Sequence, residues 1–125
     1  MEILATALQV SVALGLLNVW IVRFNRNTRY RGGDSSSMRE EFRTYGLSPA
    51  VMYVVGALKI LAALALAGGI WFPALTAPAA LIIAILMIGA IVMHHKVKDP
   101  LKKFLPALVM LIMAVSILIL KTFLR

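Results

Sequence analysis

The chain has 125 residues, 62% of them hydrophobic and 14% charged, with 13 Lys or Arg against 5 Asp or Glu for a net charge of +8. An average soluble domain is about 45–50% apolar and about 25% charged, and the charges here are clumped, which excludes a soluble bundle with polar helix faces. The absence of cysteine excludes disulfides, thiolate metal sites and thiol-based quinone reduction by the chain itself. Basic residues beside apolar runs read as topology signals and lipid-headgroup contacts, not as a nucleic-acid surface.

A helix rising about 1.5 Å per residue needs roughly 20 apolar residues to cross about 30 Å of hydrocarbon. Residues 3–22 carry no charge and form the first predicted span. The positive residues follow this run instead of preceding it, so it is expected to be a retained span with its N-terminus translocated, not a secretory signal. Gln9 and Asn18 fall on opposite helix faces at about 100° per residue. Ser11, Gly15 and Asn18 share a face that is expected to look inward. Amides inside spans serve as interhelical glue or as ligand contacts, which makes Gln9 and Asn18 candidate binding residues.

The first connection, residues 23–48, holds Arg23, Arg26, Arg29, Arg31, Arg39 and Arg43. Gly32-Gly33-Asp34-Ser35-Ser36-Ser37 reads as a flexible stretch. Ser37-Met38-Arg39-Glu40 then has the form of a capping box, in which Ser37 and Glu40 satisfy each other's free backbone donors. A short interfacial helix is predicted over 38–45, stopped by Gly46. Ser48 and Pro49 supply the N-cap and first-turn proline of the second span.

That span, residues 49–72, carries one charge, Lys59. It lies about 15 Å along the helix axis from Pro49, near mid-membrane, where a charged Lys costs from about 3 to more than 10 kcal/mol. No Asp or Glu lies inside a span. The amine is therefore open to several partners: Gln9 or Asn18, a carboxylate reaching in from Glu2, Glu40 or Glu41, a polar ligand head, or loss of its proton. Gly56, Ala63 and Ala67 share the face of Lys59 and let a neighbouring helix approach closely, within this chain or in a homodimer.

The third span, residues 74–93, follows an apolar hairpin in which Pro73 and Pro78 bracket the helix start. It ends at His94-His95, and the connection 94–103 adds Lys96, Lys98, Lys102 and Lys103. Adjacent histidines point about 100° apart, so they do not form a helical zinc pair, which needs i, i+3 or i, i+4 spacing. Interfacial solvation is expected for both, with His94 kept as a candidate ligand or proton-handling residue. Asp99-Pro100 repeats the cap-and-proline device before the last span, residues 104–120, and Pro106 is expected to kink that helix or to mark where a lead-in becomes a span. Trp20, Tyr53, Trp71 and Phe72 fall at expected interface positions.

The expected architecture is an all-α membrane protein: a four-transmembrane-helix bundle with a short interfacial helix between spans one and two. Basic residues concentrate in the first and third connections, and Lys121 and Arg125 oppose that bias weakly. The positive-inside rule then places those connections in the cytoplasm and both termini on the outer side of a cell inner membrane. No nucleophile–base pair, phosphate loop or carboxylate pair is present to suggest an enzyme.

The run Ser37-Met38-Arg39-Glu40-Glu41-Phe42, then Tyr45-Gly46-Leu47-Ser48-Pro49 and Val55-Gly56-Ala57-Leu58-Lys59-Ile60-Leu61-Ala62, leads on through Leu86-Met87-Ile88-Gly89-Ala90, His94, Asp99-Pro100 and Leu105-Pro106-Ala107-Leu108. This order resembles the DoxX-like family of small four-helix membrane proteins. The resemblance implies either an accessory or assembly subunit of a membrane complex, or an association with quinone-linked oxidation. Three readings follow. The first is a non-enzymatic accessory protein with a membrane protein partner. The second is a quinone- or lipid-binding subunit of a redox complex, with Lys59 donating to the headgroup and quinone as the one cofactor admitted. The third is a small dimeric transporter, whose cargo would be anionic because no span holds an acidic residue.

Overall fold

The computed structural model describes residues 2–25, 30–33 and 35–123. Arg26, Arg29, Asp34 and Arg125, used above for topology and for the flexible stretch, lie outside the described residues. Five helices form in chain order: α1 (Glu2–Leu17), extended by a π-helical turn (Asn18–Val22), α2 (Met38–Thr44), α3 (Pro49–Gly68), α4 (Thr76–Lys96) and α5 (Leu101–Thr122). A 3₁₀ turn, Pro73–Leu75, leads into α4. Four of the helical segments are long and apolar enough to cross a bilayer, and the fold is that of a multi-pass all-α membrane protein. There α1 packs against α3 and α5, and α4 packs against the same two helices, so that α1 and α4 stand at opposite corners.

The small interfacial helix has the ends that its sequence encodes. Ser37 Oγ accepts from Glu40 N at 3.3 Å. The reciprocal half of the expected capping box is displaced by one residue, because Glu40 Oε2 accepts from Ser36 N at 3.1 Å and from Ser36 Oγ instead of from Ser37. Those Ser36 bonds hold the Glu40 carboxyl below its usual range. At the other end Leu47 N donates to Phe42 O (2.9 Å) and Gly46 N to Arg43 O (3.0 Å). That is a Schellman stop, and Gly46 supplies its left-handed residue at φ 79°. Ser48 Oγ then caps Val51 N at 3.3 Å, with Pro49 in the first turn of α3.

The two ends of the bundle pack differently. At the end holding the chain termini, Val12, Ala13, Leu16, Ala62, Ala63, Leu66, Ala80, Ile83, Ala114 and Ile117 form a closed core from all four spans. Alanines on α3 and α4 bring the backbones close there, and close packing holds helices together where lipid supplies no apolar driving force. Gln9, fully buried, donates to Leu66 O (3.0 Å) and Thr76 Oγ1 (3.4 Å), tying α1 to the ends of α3 and α4. Lys121 pairs with Glu2 at 3.0 Å, outside this core.

The inward face of α1 matches the expected one in part. Ala5, Gln9, Val12, Ala13, Leu16 and Trp20 are buried and Gly15 and Asn18 border the space between the spans, whereas Ser11 is exposed. Ser11 satisfies its hydroxyl on Ala7 O one turn back (2.8 Å), so it needs no neighbour. Trp20 is likewise no interfacial anchor. It sits under α2 against Phe42, with ring centroids 5.8 Å apart, and over Gly56 of α3. Pro106 lies inside a continuous α5.

Candidate functional site

At the basic end, which carries the first and third connections, the four spans separate around a half-open cavity of about 660 Å³. Its walls run over Gly15–Arg23 of the first span, Val55 and Lys59 of α3, Ile85–His94 of α4 and Lys103–Met110 of α5, and residues of α2 roof it. Eight residues of helix along the first span correspond to a depth of about 12 Å. Two glycines belong to its lining: a Cβ on the exposed Gly89 would meet nothing within 4 Å, and Gly15 lets Met110 Cε close onto the first span.

Lys59 enters from α3. Its ammonium stands over the Trp20 ring, 5.1 Å from the centroid. This is a cation–π contact, a weak substitute for an ion pair. Among the described residues no protein hydrogen bond to this amine accompanies the ring contact. The carboxylate that lines the same cavity is Glu41. Gly56, one turn before Lys59, creates this pairing: a Cβ there would lie 2.6 Å from Trp20, so only glycine lets the indole close over α3.

Glu41 is already committed. Its Oε2 receives Arg31 Nη1 at 3.1 Å, and its Oε1 receives Tyr45 Oη at 2.7 Å. Arg31, 4% exposed, also donates to the carbonyls of Arg23 and Phe24 (3.2 Å to Phe24), which clamps the first connection to the end of α1. Burial, and then the charge of Glu41, push the Tyr45 hydroxyl well above the usual tyrosine range, so it stays a donor. Tyr45 Oη also lies 3.4 Å from His94 Nε2, and His94 Nδ1 lies 2.7 Å from Asp99 Oδ2. Gly33 N donates to both Asp99 oxygens at 3.1 and 3.2 Å, and the Gly33 carbonyl accepts from Lys103. One continuous polar chain, Arg31–Glu41–Tyr45–His94–Asp99–Gly33, therefore crosses the roof and joins the first connection to the third.

Two expectations are corrected here. His94 is not solvated at an interface. It is buried, 5% exposed, because Asp99 and Tyr45 supply its ring partners, while His95 remains exposed. Asp99 does not cap α5, whose N-cap is Pro100 without a side-chain bond, since its carboxylate is taken by His94 and Gly33. The turn that makes this possible is a second Schellman stop, with Asp99 N bonded to His94 O (2.9 Å) and Lys98 N to His95 O (3.0 Å). Lys98 fills its left-handed position at φ 59°.

Of the candidate residues, Lys59, Asn18 and His94 line the one cavity, whereas Gln9 lies away from it in the closed core. Gly56 packs against Trp20, Ala63 is in the core, and Ala67 packs on its edge. The Arg31–Glu41–Tyr45 cluster was not singled out in the sequence as a site. Its visible signal was Glu41 and Tyr45 at i, i+4 on a capped helix, which puts both side chains on one face.

The family model described as the DoxX-like family matches residues 30–117, from the roof of the cavity through most of α5. No curated protein and no solved structure matches the chain.

Proposed function

The chain belongs to the DoxX-like family, and on that premise we propose that this small multi-pass membrane protein is an accessory subunit that holds an amphiphile, a quinone or a lipid, in the cavity at its basic end. The observation that carries this reading is Lys59: a cationic donor near mid-membrane, facing a space large enough for a small molecule, with an aromatic ring as its partner. Small-molecule sites are typically about 300–1,000 Å³, mostly apolar, with a few convergent polar groups. The lining fits that description, with Leu86, Met87, Ala107 and Met110 as apolar wall and Lys59, Asn18 and the Tyr45–His94 pair as polar groups. A carbonyl or headgroup oxygen would accept from Lys59, and the chain would lie along the apolar wall.

The test is native mass spectrometry of protein released from its membranes under mild conditions. Wild-type protein should carry an adduct of a few hundred daltons or more, and Gly89→Phe, which fills open space in the cavity wall, should lose it. Equal adducts on both proteins would overturn the reading. We further propose residence in the cell inner membrane with the basic connections in the cytoplasm and both termini outside, on the strength of the arginine and lysine distribution. Because the chain has no cysteine, Trp71→Cys is a clean reporter. It should react with an impermeant maleimide from outside intact cells, and reaction only after lysis would reverse the orientation.

A further inference from the structure

The charge balance of the cavity narrows the ligand further. Four cationic side chains line it, Arg23, Arg31, Lys59 and Lys103, against one carboxylate, Glu41. Both oxygens of that carboxylate are engaged, by Arg31 and by Tyr45. Asp99, which joins the same roof, is held by His94 and Gly33. Among the described residues no acidic side chain of the wall is left without a partner to answer Lys59, and a cation held at this depth is costly without a counter-charge. A neutral carbonyl would accept a hydrogen bond but leave the charge in place. An anion does both.

The position of the cations also selects an amphiphile over a free anion. Lys59 stands beside Trp20, and the lining of the same cavity includes the apolar Gly15, Met110, Ala107 and Leu86. An anion alone would have to leave water and face that wall on one side. A head with a hydrocarbon chain meets charge at one end and apolar wall at the other.

Resting on the cavity reading above, we infer that the ligand is an anionic amphiphile, a carboxylate or phosphate head on a hydrocarbon chain, whose head pairs with Lys59 between Trp20 and the Glu41 roof.

The test uses the full chain in nanodiscs of phosphatidylcholine, with Trp71→Phe so that Trp20 is the sole tryptophan. Trp71 is 73% exposed at the far end, and its loss leaves the cavity intact. Trp20 emission is titrated with decyl phosphate, decanoate, decanol, decylubiquinone and inorganic phosphate. Both anionic chains should bind, and decanol and decylubiquinone should bind at least about tenfold more weakly, as expected for the loss of a charge-assisted bond. Lys59→Met should weaken the anions by at least about tenfold and leave decanol unchanged, while Lys59→Arg, which keeps the charge, should retain most of the anion affinity. Decanol or decylubiquinone binding as tightly as decyl phosphate, with no effect of Lys59→Met, would overturn the anionic assignment and leave the cavity reading standing. A response to inorganic phosphate equal to that of decyl phosphate would overturn the amphiphile. If no chain compound changes Trp20 emission differently in wild type and in the Gly89→Phe protein, the cavity reading itself fails.

Discussion

Replacing Arg31 by Met removes the guanidinium that organises the roof. In the native protein it makes a 3.1 Å ion pair with Glu41 and donates to two backbone carbonyls of the segment that ends α1. After substitution Glu41, with 11% of its side chain exposed, keeps Tyr45 as a donor, the Arg23 carbonyl loses the guanidinium, and the Phe24 carbonyl keeps Met38 N at 2.9 Å. Truncating one partner of a buried pair costs about 3–5 kcal/mol, and a factor of ten in an equilibrium corresponds to about 1.4 kcal/mol. The docking equilibrium of the first connection should therefore shift by roughly two to three and a half orders of magnitude. The closed core at the other end shares no residue with this cluster, so the loss should be local. Hydrogen–deuterium exchange in nanodiscs reads it: amides of α2 should exchange at least about a hundredfold faster in Arg31→Met, while those of α4 around Ile83 remain protected. Pairing the substitution with Glu41→Leu, which removes the stranded charge, should recover more than half of the lost protection, because an apolar replacement of a whole buried pair is often neutral. Unchanged α2 exchange in the single variant, or no recovery in the double one, would refute the reasoning.

Gly56→Ala should push the Trp20 ring off α3 at a cost of about 1–3 kcal/mol, the usual range for overpacking, seen as a shifted Trp20 emission and lower resistance to denaturing detergent. Lys98→Gly should stabilise the turn between α4 and α5 by up to about 1 kcal/mol, since a left-handed φ costs a side-chain-bearing residue about that much; the same detergent titration checks it. The raised Tyr45 hydroxyl contributes stability that is complete below the unfolded tyrosine value of about 10 and is lost as pH climbs from there toward its higher folded value. Wild-type protein should thus lose stability above about pH 10 more steeply than Tyr45→Phe, measured as the difference between their detergent midpoints at pH 9 and pH 11.

Much of the fold could be read directly. Apolar runs of span length, charge-free but for Lys59, located the membrane helices, and Ser37, Gly46, Ser48 and Pro49 are backbone signals that act locally, so α2 and the start of α3 came out with nearly the right ends. What failed were the features that depend on a distant partner. In a bilayer the outward face of a helix is as apolar as the inward one, so no polar stripe told the Gln9 face of α1 from the Ser11 face. The arginines of the first connection were counted together for topology, which concealed that Arg31 is buried on Glu41. His94 and Asp99 were assigned a surface and a helix cap because the groups that claim them, Tyr45 and Gly33, come from the first connection, some fifty residues and more away in sequence. Lys59 was conspicuous from the start. Its neighbour Trp20 was not, since an aromatic near a span end reads equally as an interfacial anchor.

Determining the structure in a lipidic mesophase, from protein purified without stripping its lipids, tests the central claim most directly. The account predicts continuous density in the cavity, with a polar head within about 3 Å of Lys59 Nζ and a chain running past Ala107 and Met110. Lys59 turned onto a carboxylate of its own chain, beside a cavity filled with water or collapsed, would contradict it.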